Sequence, residues 1–139
     1  MTLTRPQAIG EVARRGAGGP AAFHDALKDF VLAFSRMDDA ARRAALADEP
    51  PLLGGDGVAD AYLAAAAEML ALREGLERPP WVSGPSRFLA RAWYAGGMER
   101  MKPILCAESP AAFRIRNLFV SADALDRPGY KLALNRVTG

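Results

Sequence analysis

Ser109-Pro110-Ala111-Ala112-Phe113-Arg114-Ile115-Arg116-Asn117-Leu118-Phe119-Val120 admits two readings, and the choice between them separates a helical chain from a mixed one. Ser109 followed by Pro110 is a helix start, with the serine as N-cap and the proline in the first turn, where its missing N–H is least harmful. Phe113-Arg114-Ile115-Arg116, however, alternates with period two, which is a strand signal. On a helix Arg114 and Arg116 project about 200° apart; on a strand they share a face. We read a helical turn to about Arg116 and an extended piece over 117–120, with Ser121 capping a last turn through Asp126. Arg127-Pro128-Gly129 then ends it. The two arginines are therefore expected to divide, one facing a partner and the other bracing the interior through a helix C-terminus or an acid such as Glu108.

The wider stretch 81–125 holds both tryptophans, the single cysteine and most of the excess positive charge. Residues 1–80 carry nine Lys/Arg and twelve Asp/Glu, a balance of −3, whereas residues 81–139 carry nine and four, a balance of +5. Fifteen of the eighteen basic residues are arginine, whose planar fork suits carboxylates, phosphates and interfaces. A GC-rich coding sequence produces the same bias, so arginine content alone assigns no interface.

Upstream, Arg78-Pro79-Pro80-Trp81 must be extended, because proline excludes the preceding residue from helical geometry. Ser86 is expected to begin a short helix carrying Phe88, Leu89 and Trp93 and ending at Gly96-Gly97. Met98, Met101, Ile104 and Leu105 suggest a further helix, bent or restarted at Pro103. Cys106 is expected to pack there as a small apolar residue.

Nearer the N-terminus, Thr4 and Gln7 have the spacing of a capping box before a helix to Arg15. Gly16-Ala17-Gly18-Gly19 breaks that helix, and Pro20 suits the first position of the next. Phe23, Leu27, Phe30, Val31 and Phe34 fall on one helical face. Asp38 or Asp39 caps a third helix through Ala47. Pro50-Pro51 and the glycines at 54, 55 and 57 punctuate the chain before its longest helix, expected over 58–74. Val58, Tyr62, Ala65, Met69, Leu72 and Leu76 step along that helix by 4, 3, 4, 3 and 4, with Leu63, Ala66 and Leu70 widening the stripe, and alanine at five positions from 61 to 67 admits a close neighbour. Gly75 is its expected left-handed cap, with Leu76 folding back onto it.

Several chemistries lack their residues. One cysteine forms no internal disulfide and suits a reducing compartment, so a cytoplasmic location is expected. The start, Met1 to Pro6, lacks the apolar core of a signal peptide, and the longest apolar run, 61–67, is far too short for a bilayer. One His and one Cys cannot make a structural zinc site, so no metal and no cofactor is expected. No Lys-Ser or Lys-Thr follows the glycines at 54–57, so they form no P-loop. His24 is the sole histidine and lies beside an apolar helical face, and no nucleophile elbow is present. Catalysis is not expected. For nucleic acid, the third helix after the Arg36-Met37 turn is the one helix-turn-helix candidate, and it shows no recognition face.

Asp48-Glu49-Pro50-Pro51-Leu52-Leu53, Asp60-Ala61-Tyr62-Leu63-Ala64-Ala65, Pro80-Trp81, Arg87-Phe88-Leu89, Trp93-Tyr94-Ala95-Gly96-Gly97 and Glu108-Ser109-Pro110-Ala111-Ala112-Phe113-Arg114 together resemble a family of small bacterial antitoxin-like proteins. Some relatives carry a helix-turn-helix module ahead of the same C-terminal region, and some neighbour nucleotidyltransferase-like toxin genes. The resemblance covers most of the chain and implies a protein partner, a nucleotidyltransferase-like toxin among the candidates. A separate DNA-binding module is not expected here, which counts against a repressor role.

The expected fold is thus all-α, one domain over 1–139 with five to seven helices and at most a short extended segment near the C-terminus. Within it, 1–80 is helical scaffold, 81–127 the Trp/Arg-rich segment and 128–139 a short tail. The expected function is a non-catalytic interaction module that neutralises a partner protein. Arg114, Arg116, Asn117, Phe119, Trp81 and Trp93 are the candidate partner-binding residues, because Trp and Arg dominate interface energetics. Packing in the core is the competing role for each aromatic. The alternative function is nucleic-acid binding through the basic C-terminal half, whose signature is affinity that falls steeply with salt.

Overall fold

The structure, a computed structural model, describes residues 4–125, so the expected tail at 128–139 lies outside the described residues. Among them are six α-helices, four short 3-10 turns and one two-stranded parallel sheet. The all-α expectation therefore holds, with Leu118 and Phe119 extended as the C-terminal reading required and their partners Trp93 and Tyr94 extended where a helix was expected. No helix among the described residues is long and apolar enough to cross a membrane. The chain divides into two compact units. One comprises the residues up to Pro51 together with the chain from Asp123, and the other is Leu52–Ala122.

The first unit is built on α1 (Ile9–Gly16), α2 (Pro20–Ser35) and α3 (Asp39–Ala47). Thr4 and Gln7 form no capping box: α1 starts after Ala8 without a side-chain cap, and Gln7 N instead donates to Glu11 Oε1 at 3.4 Å. Ile9, Val12 and Ala13 of α1 and Leu27, Phe30 and Phe34 of α2 are buried, as the apolar face required. Phe30 and Phe34 meet as tilted rings 5.9 Å apart. The break after α1 has a packing reason as well as a conformational one. A Cβ on Gly16 would lie 2.8–2.9 Å from Phe23 ring and backbone atoms, so only glycine lets the end of α1 approach α2 this closely. Asp38 caps α3 by accepting from Ala41 N at 2.8 Å. Arg42 turns back to the end of α2, its Nε donating to Phe34 O at 3.1 Å and its Nη2 to Ser35 O at 3.0 Å. Carbonyls left over at a helix C-terminus are what a cation satisfies best.

The second unit is organised around α4 (Val58–Arg73). Gly75 adopts φ 69° and Leu76 N reaches back to Ala71 O at 2.8 Å, the left-handed cap expected from the sequence. The apolar stripe expected on α4 is buried at Leu63, Ala65, Ala66 and Leu70 but needs correction at Leu72. Leu72 is 64% exposed, whereas Ala61, Leu63, Ala64, Ala65, Ala66, Ala67 and Ala71 are fully buried. The reason is that α4 is covered from several sides, by 3-10 turns at Pro80–Ser83 and Pro85–Arg87, by α6 (Ala111–Arg114) and by β2 (Leu118–Phe119). Small alanine side chains permit that enclosure.

The helix expected from Ser86 to Gly96 does not form. The turn Pro85–Arg87 ends at Phe88, which is extended at φ −128°, ψ 138°. Beyond it, Leu89 N donates to Arg116 O (3.3 Å) and Trp93 N to Asn117 O (2.8 Å). Trp93 and Tyr94 form β1 (Trp93–Tyr94), paired in parallel with Leu118 and Phe119. Backbone partners from the later segment replace the i→i−4 bonds of a helix, an instance of tertiary pairing overriding local preference. Of the bend or restart expected at Pro103 the structure shows the restart: a 3-10 turn at Glu99–Met101 gives way to α5 (Lys102–Glu108), whose first turn holds Pro103, where its lack of an N–H is tolerated. Cys106 is exposed rather than packed. Ser109 is not the N-cap of α6, which begins after Pro110. Its buried hydroxyl lies 2.6 Å from Leu105 O and accepts from Val120 N at 2.9 Å, joining the end of α5 to the chain beyond β2.

Candidate functional site

Two of the candidate residues, Arg116 and Trp81, belong to two buried ion pairs laid against α4. Arg116, 1% exposed, donates through Nη2 to Glu68 Oε1 (2.9 Å) and Val82 O (2.8 Å), and through Nη1 to Ala112 O (2.7 Å). Its Nε finds no acceptor, and the Phe88 ring covers the guanidinium with its centroid 4.7 Å from Cζ. Glu68 is buried and has a second cation beside it, the exposed Arg78 with Nη1 at 3.8 Å from Oε2. Two turns earlier on α4, buried Asp60 accepts from Leu53 N (2.7 Å) and Gly54 N (3.0 Å). Arg87, also buried, lies 4.0 Å from Asp60 Oδ1 and donates to Asp60 O at 3.4 Å, with Trp81 4.8 Å from its Cζ. Each module has an acid on α4, an arginine from a later segment and an aromatic ring over the arginine. Burying such charges is tolerable only because each is paired and hydrogen-bonded.

Arg114 and Arg116 have divided as the helical reading required. Since α6 ends at Arg114 and Ile115 still has helical geometry, the two side chains leave in different directions. Arg114 is exposed and donates to Ser109 O, at the C-terminal end of α5, at 2.8 Å. Arg116 points inward, so its candidacy as a partner-binding residue is corrected: its guanidinium is enclosed by Glu68, Val82, Ala112 and Phe88. Ile115 between them is 57% exposed.

Asn117 has φ 63°, the one non-glycine residue in the left-handed region among those described. Asparagine tolerates that region better than most residues. Its side-chain Nδ2 donates to Leu89 O at 2.8 Å while its own carbonyl accepts from Trp93 N at 2.8 Å. Both ends of the 89–93 loop are therefore fastened to one residue, with Arg91 exposed at the middle.

The aromatic candidates are half-buried rather than free. Trp81 carries Arg87, and Trp93 meets Tyr62 edge-on at 6.5 Å. Phe119 stacks on Tyr94 at 5.0 Å and 19°, with Lys102 Nζ 4.9 Å from the Tyr94 centroid. Tyr62 also meets Phe113 edge-on at 5.0 Å, and burial pushes its phenol up to about 12. The hydrogen bond with Cys106, then partial desolvation, raises Tyr94 above its ordinary range. The carboxylate of Glu99, 2.8 Å away, raises Lys102.

The sequence reading missed Asp60, Glu68, Arg87 and Phe88 as members of this constellation. A signal was present, in that two carboxylates interrupt an alanine-rich apolar helix eight residues apart. Among the described residues no three His, Cys, Asp or Glu side chains are grouped to hold a metal ion. Compared with protein-family models, with curated proteins and with solved structures, the chain matches none.

Proposed function

We propose that the protein is a non-catalytic interaction module, an antitoxin-like neutraliser that binds a partner protein through the surface around residues 88–93 and 114–119. One observation carries this reading. Every large apolar side chain that is exposed among the described residues (Leu52, Leu72, Phe88, Met98, Ile104 and Ile115) belongs to the Leu52–Ala122 unit, and two of them flank the Arg116 brace. Exposed apolar groups beside rigidly held arginines are what protein interfaces use. The partner class, a nucleotidyltransferase-like toxin among the candidates, follows from the sequence resemblance.

The test is capture of partners from the source organism with the tagged chain, followed by mass spectrometry, in parallel with an Ile115→Asp variant. A partner held by the native chain and lost by Ile115→Asp, with unchanged melting, supports the reading. A partner retained equally by both places the interface elsewhere.

Nucleic-acid binding is less well supported. Two positive charges of the basic half, Arg87 and Arg116, are buried beside Asp60 and Glu68 and do not face solvent. Four of the exposed positions of α3 are alanine (Ala40, Ala41, Ala44 and Ala47) and offer no hydrogen bonds to base edges, leaving Arg43 as its one exposed cation. Duplex DNA is expected to bind no tighter than the nonspecific range, about 10⁻⁴ to 10⁻⁶ M at physiological salt. Nanomolar, sequence-selective gel shifts would reverse the ranking.

A further inference from the structure

We propose that Phe88, Arg91, Arg114 and Ile115 form a docking surface for a protein segment that presents carboxylates beside an apolar anchor. This rests on the interaction reading above and specifies the chemistry of the partner. The four residues come from two segments that hydrogen bonds hold together. Leu89 N bonds Arg116 O, Asn117 clamps Leu89 and Trp93, and Asn117 N bonds Arg114 O at 3.0 Å. Phe88, 38% exposed, lies over the Arg116 guanidinium, and Ile115 immediately precedes Arg116 in the chain.

Charge selects the occupant. Residues 84–98 and 109–122 contain no aspartate or glutamate. Glu99 and Glu108 border these stretches, Glu99 paired with Lys102, while Asp60 and Glu68 are buried on α4 and paired with Arg87 and Arg116. Exposed Arg91 and Arg114 have no carboxylate within ion-pair distance among the described residues, and Arg114 has spent one donor on Ser109 O. Two guanidinium forks therefore remain for external acceptors, and a planar fork matches a carboxylate bidentately.

Phosphate would satisfy the same forks, but the apolar pair argues for protein. Ile115 is aliphatic and more than half exposed, and a nucleic-acid backbone would leave it against charge and water. Stacking of successive bases needs several free aromatic faces, yet apart from Phe88 the rings nearby are engaged: Trp81 with Arg87, Tyr94 with Phe119. Asn117 is the positioning residue, since its amide sets where the loop carrying Arg91 sits relative to Arg114.

The test uses the full chain, ¹⁵N-labelled, titrated with an amphipathic peptide bearing leucines flanked by glutamates. Its glutamine counterpart, its lysine counterpart and a short DNA duplex serve as comparisons. The glutamate peptide is expected to move amides of 88–93 and 114–117, with affinity that falls as salt rises. An Arg91→Glu/Arg114→Glu variant should weaken it by about tenfold or more, or about 1.4 kcal/mol. Asn117→Gly keeps the left-handed backbone without the clamp and should weaken binding while those amides still report a folded chain. Equal binding of the glutamine peptide, stronger perturbation by DNA, or no movement of these amides by the glutamate peptide overturns the proposal. Partner capture separates the two levels. Capture that needs Ile115 but survives reversal of both arginines removes the carboxylate chemistry and leaves the interaction module standing, whereas capture indifferent to all four residues removes this docking surface and moves the interface elsewhere, and no capture at all removes the interaction reading itself.

Discussion

The two units of this chain reach stability by different means. Residues 4–51 use the common arrangement: an aromatic and aliphatic face on α2 buried against α1, a glycine where the helices approach, an aspartate cap, and ion pairs at the surface. Leu52–Ala122 is assembled on a helix too small in side-chain volume to make a core alone. It recruits short segments through buried charge, with Glu68 and Asp60 on α4 receiving Arg116 and Arg87 from chain 48 and 27 residues further on. Apolar faces tolerate sliding, but a buried carboxylate accepts only a partner that arrives in the right place. Short irregular segments, which lack the hydrogen bonds of long helices, gain from that specificity. A rigid, irregular surface is also a suitable frame for exposed Arg91, Arg114 and Ile115.

The largest test of this contrast removes one partner of the buried pair. Arg116→Ala strands Glu68 without its closest cation and removes the donors to Val82 O and Ala112 O, so a loss of about 3–5 kcal/mol is expected in denaturant unfolding. In the other unit Phe30→Ala should cost a similar amount, about 3–5 kcal/mol, through loss of transfer energy and a cavity. The units separate in the repair. Combining Arg116→Met with Glu68→Leu should recover much of the loss, because no buried charge is then left unpaired. A double variant as unstable as Arg116→Ala alone would mean that packing and the two carbonyl bonds, not charge, hold this segment.

How much of this was readable beforehand follows the same division. The α2 face, the Asp38 cap and the Gly75 cap depend on spacings within one turn or two, so the residue pattern contained them. The divergence of Arg114 and Arg116 was legible for the same reason, being a matter of 100° per residue. Residues 86–94 were misread because their backbone partners, Arg116 and Asn117, lie more than twenty positions later, and no local period encodes them. The inward turn of Arg116 was open in direction until Glu68 was placed beneath it. Leu72 went to the wrong class because the stripe argument assumes one covered face, whereas α4 has several.

A moderate effect should appear in alkali. Tyr62 is held neutral up to about pH 12 by burial, whereas an unfolded tyrosine ionises near 10. Below the unfolded value both states are protonated and stability is unaffected. Between about pH 10 and 12 the unfolded chain releases the proton first, so stability falls as pH rises, by about 2–3 kcal/mol across the window. Tyr62→Phe should flatten that part of the curve, measured by urea unfolding at closely spaced alkaline pH values. Residues 4–51 contain no tyrosine, and the difference between the two curves isolates Tyr62 from Tyr94 and Tyr130. Parallel curves for the two proteins would mean that the phenol is solvated.

The smallest effect belongs to the ion pair of the first unit and sharpens the comparison from the other side. Arg14 Nη2 lies 3.2 Å from Asp48 Oδ2, with the side chains 54% and 38% exposed. Asp48 stands at the C-cap of α3, where the helix dipole disfavours an acid, so Arg14 does compensate something. Both groups nevertheless remain hydrated and flexible, and removing one leaves the other in water. Arg14→Ala should therefore cost only about 0.2–1 kcal/mol, and less as salt shortens the screening length. Arg116→Ala, whose charge is enclosed, should lose the same stability at low and high salt. If the Arg14 variant proved as costly as Arg116→Ala, or if the Arg116 loss faded with salt in the same proportion, the distinction between a surface pair and a structural one would fail for this protein.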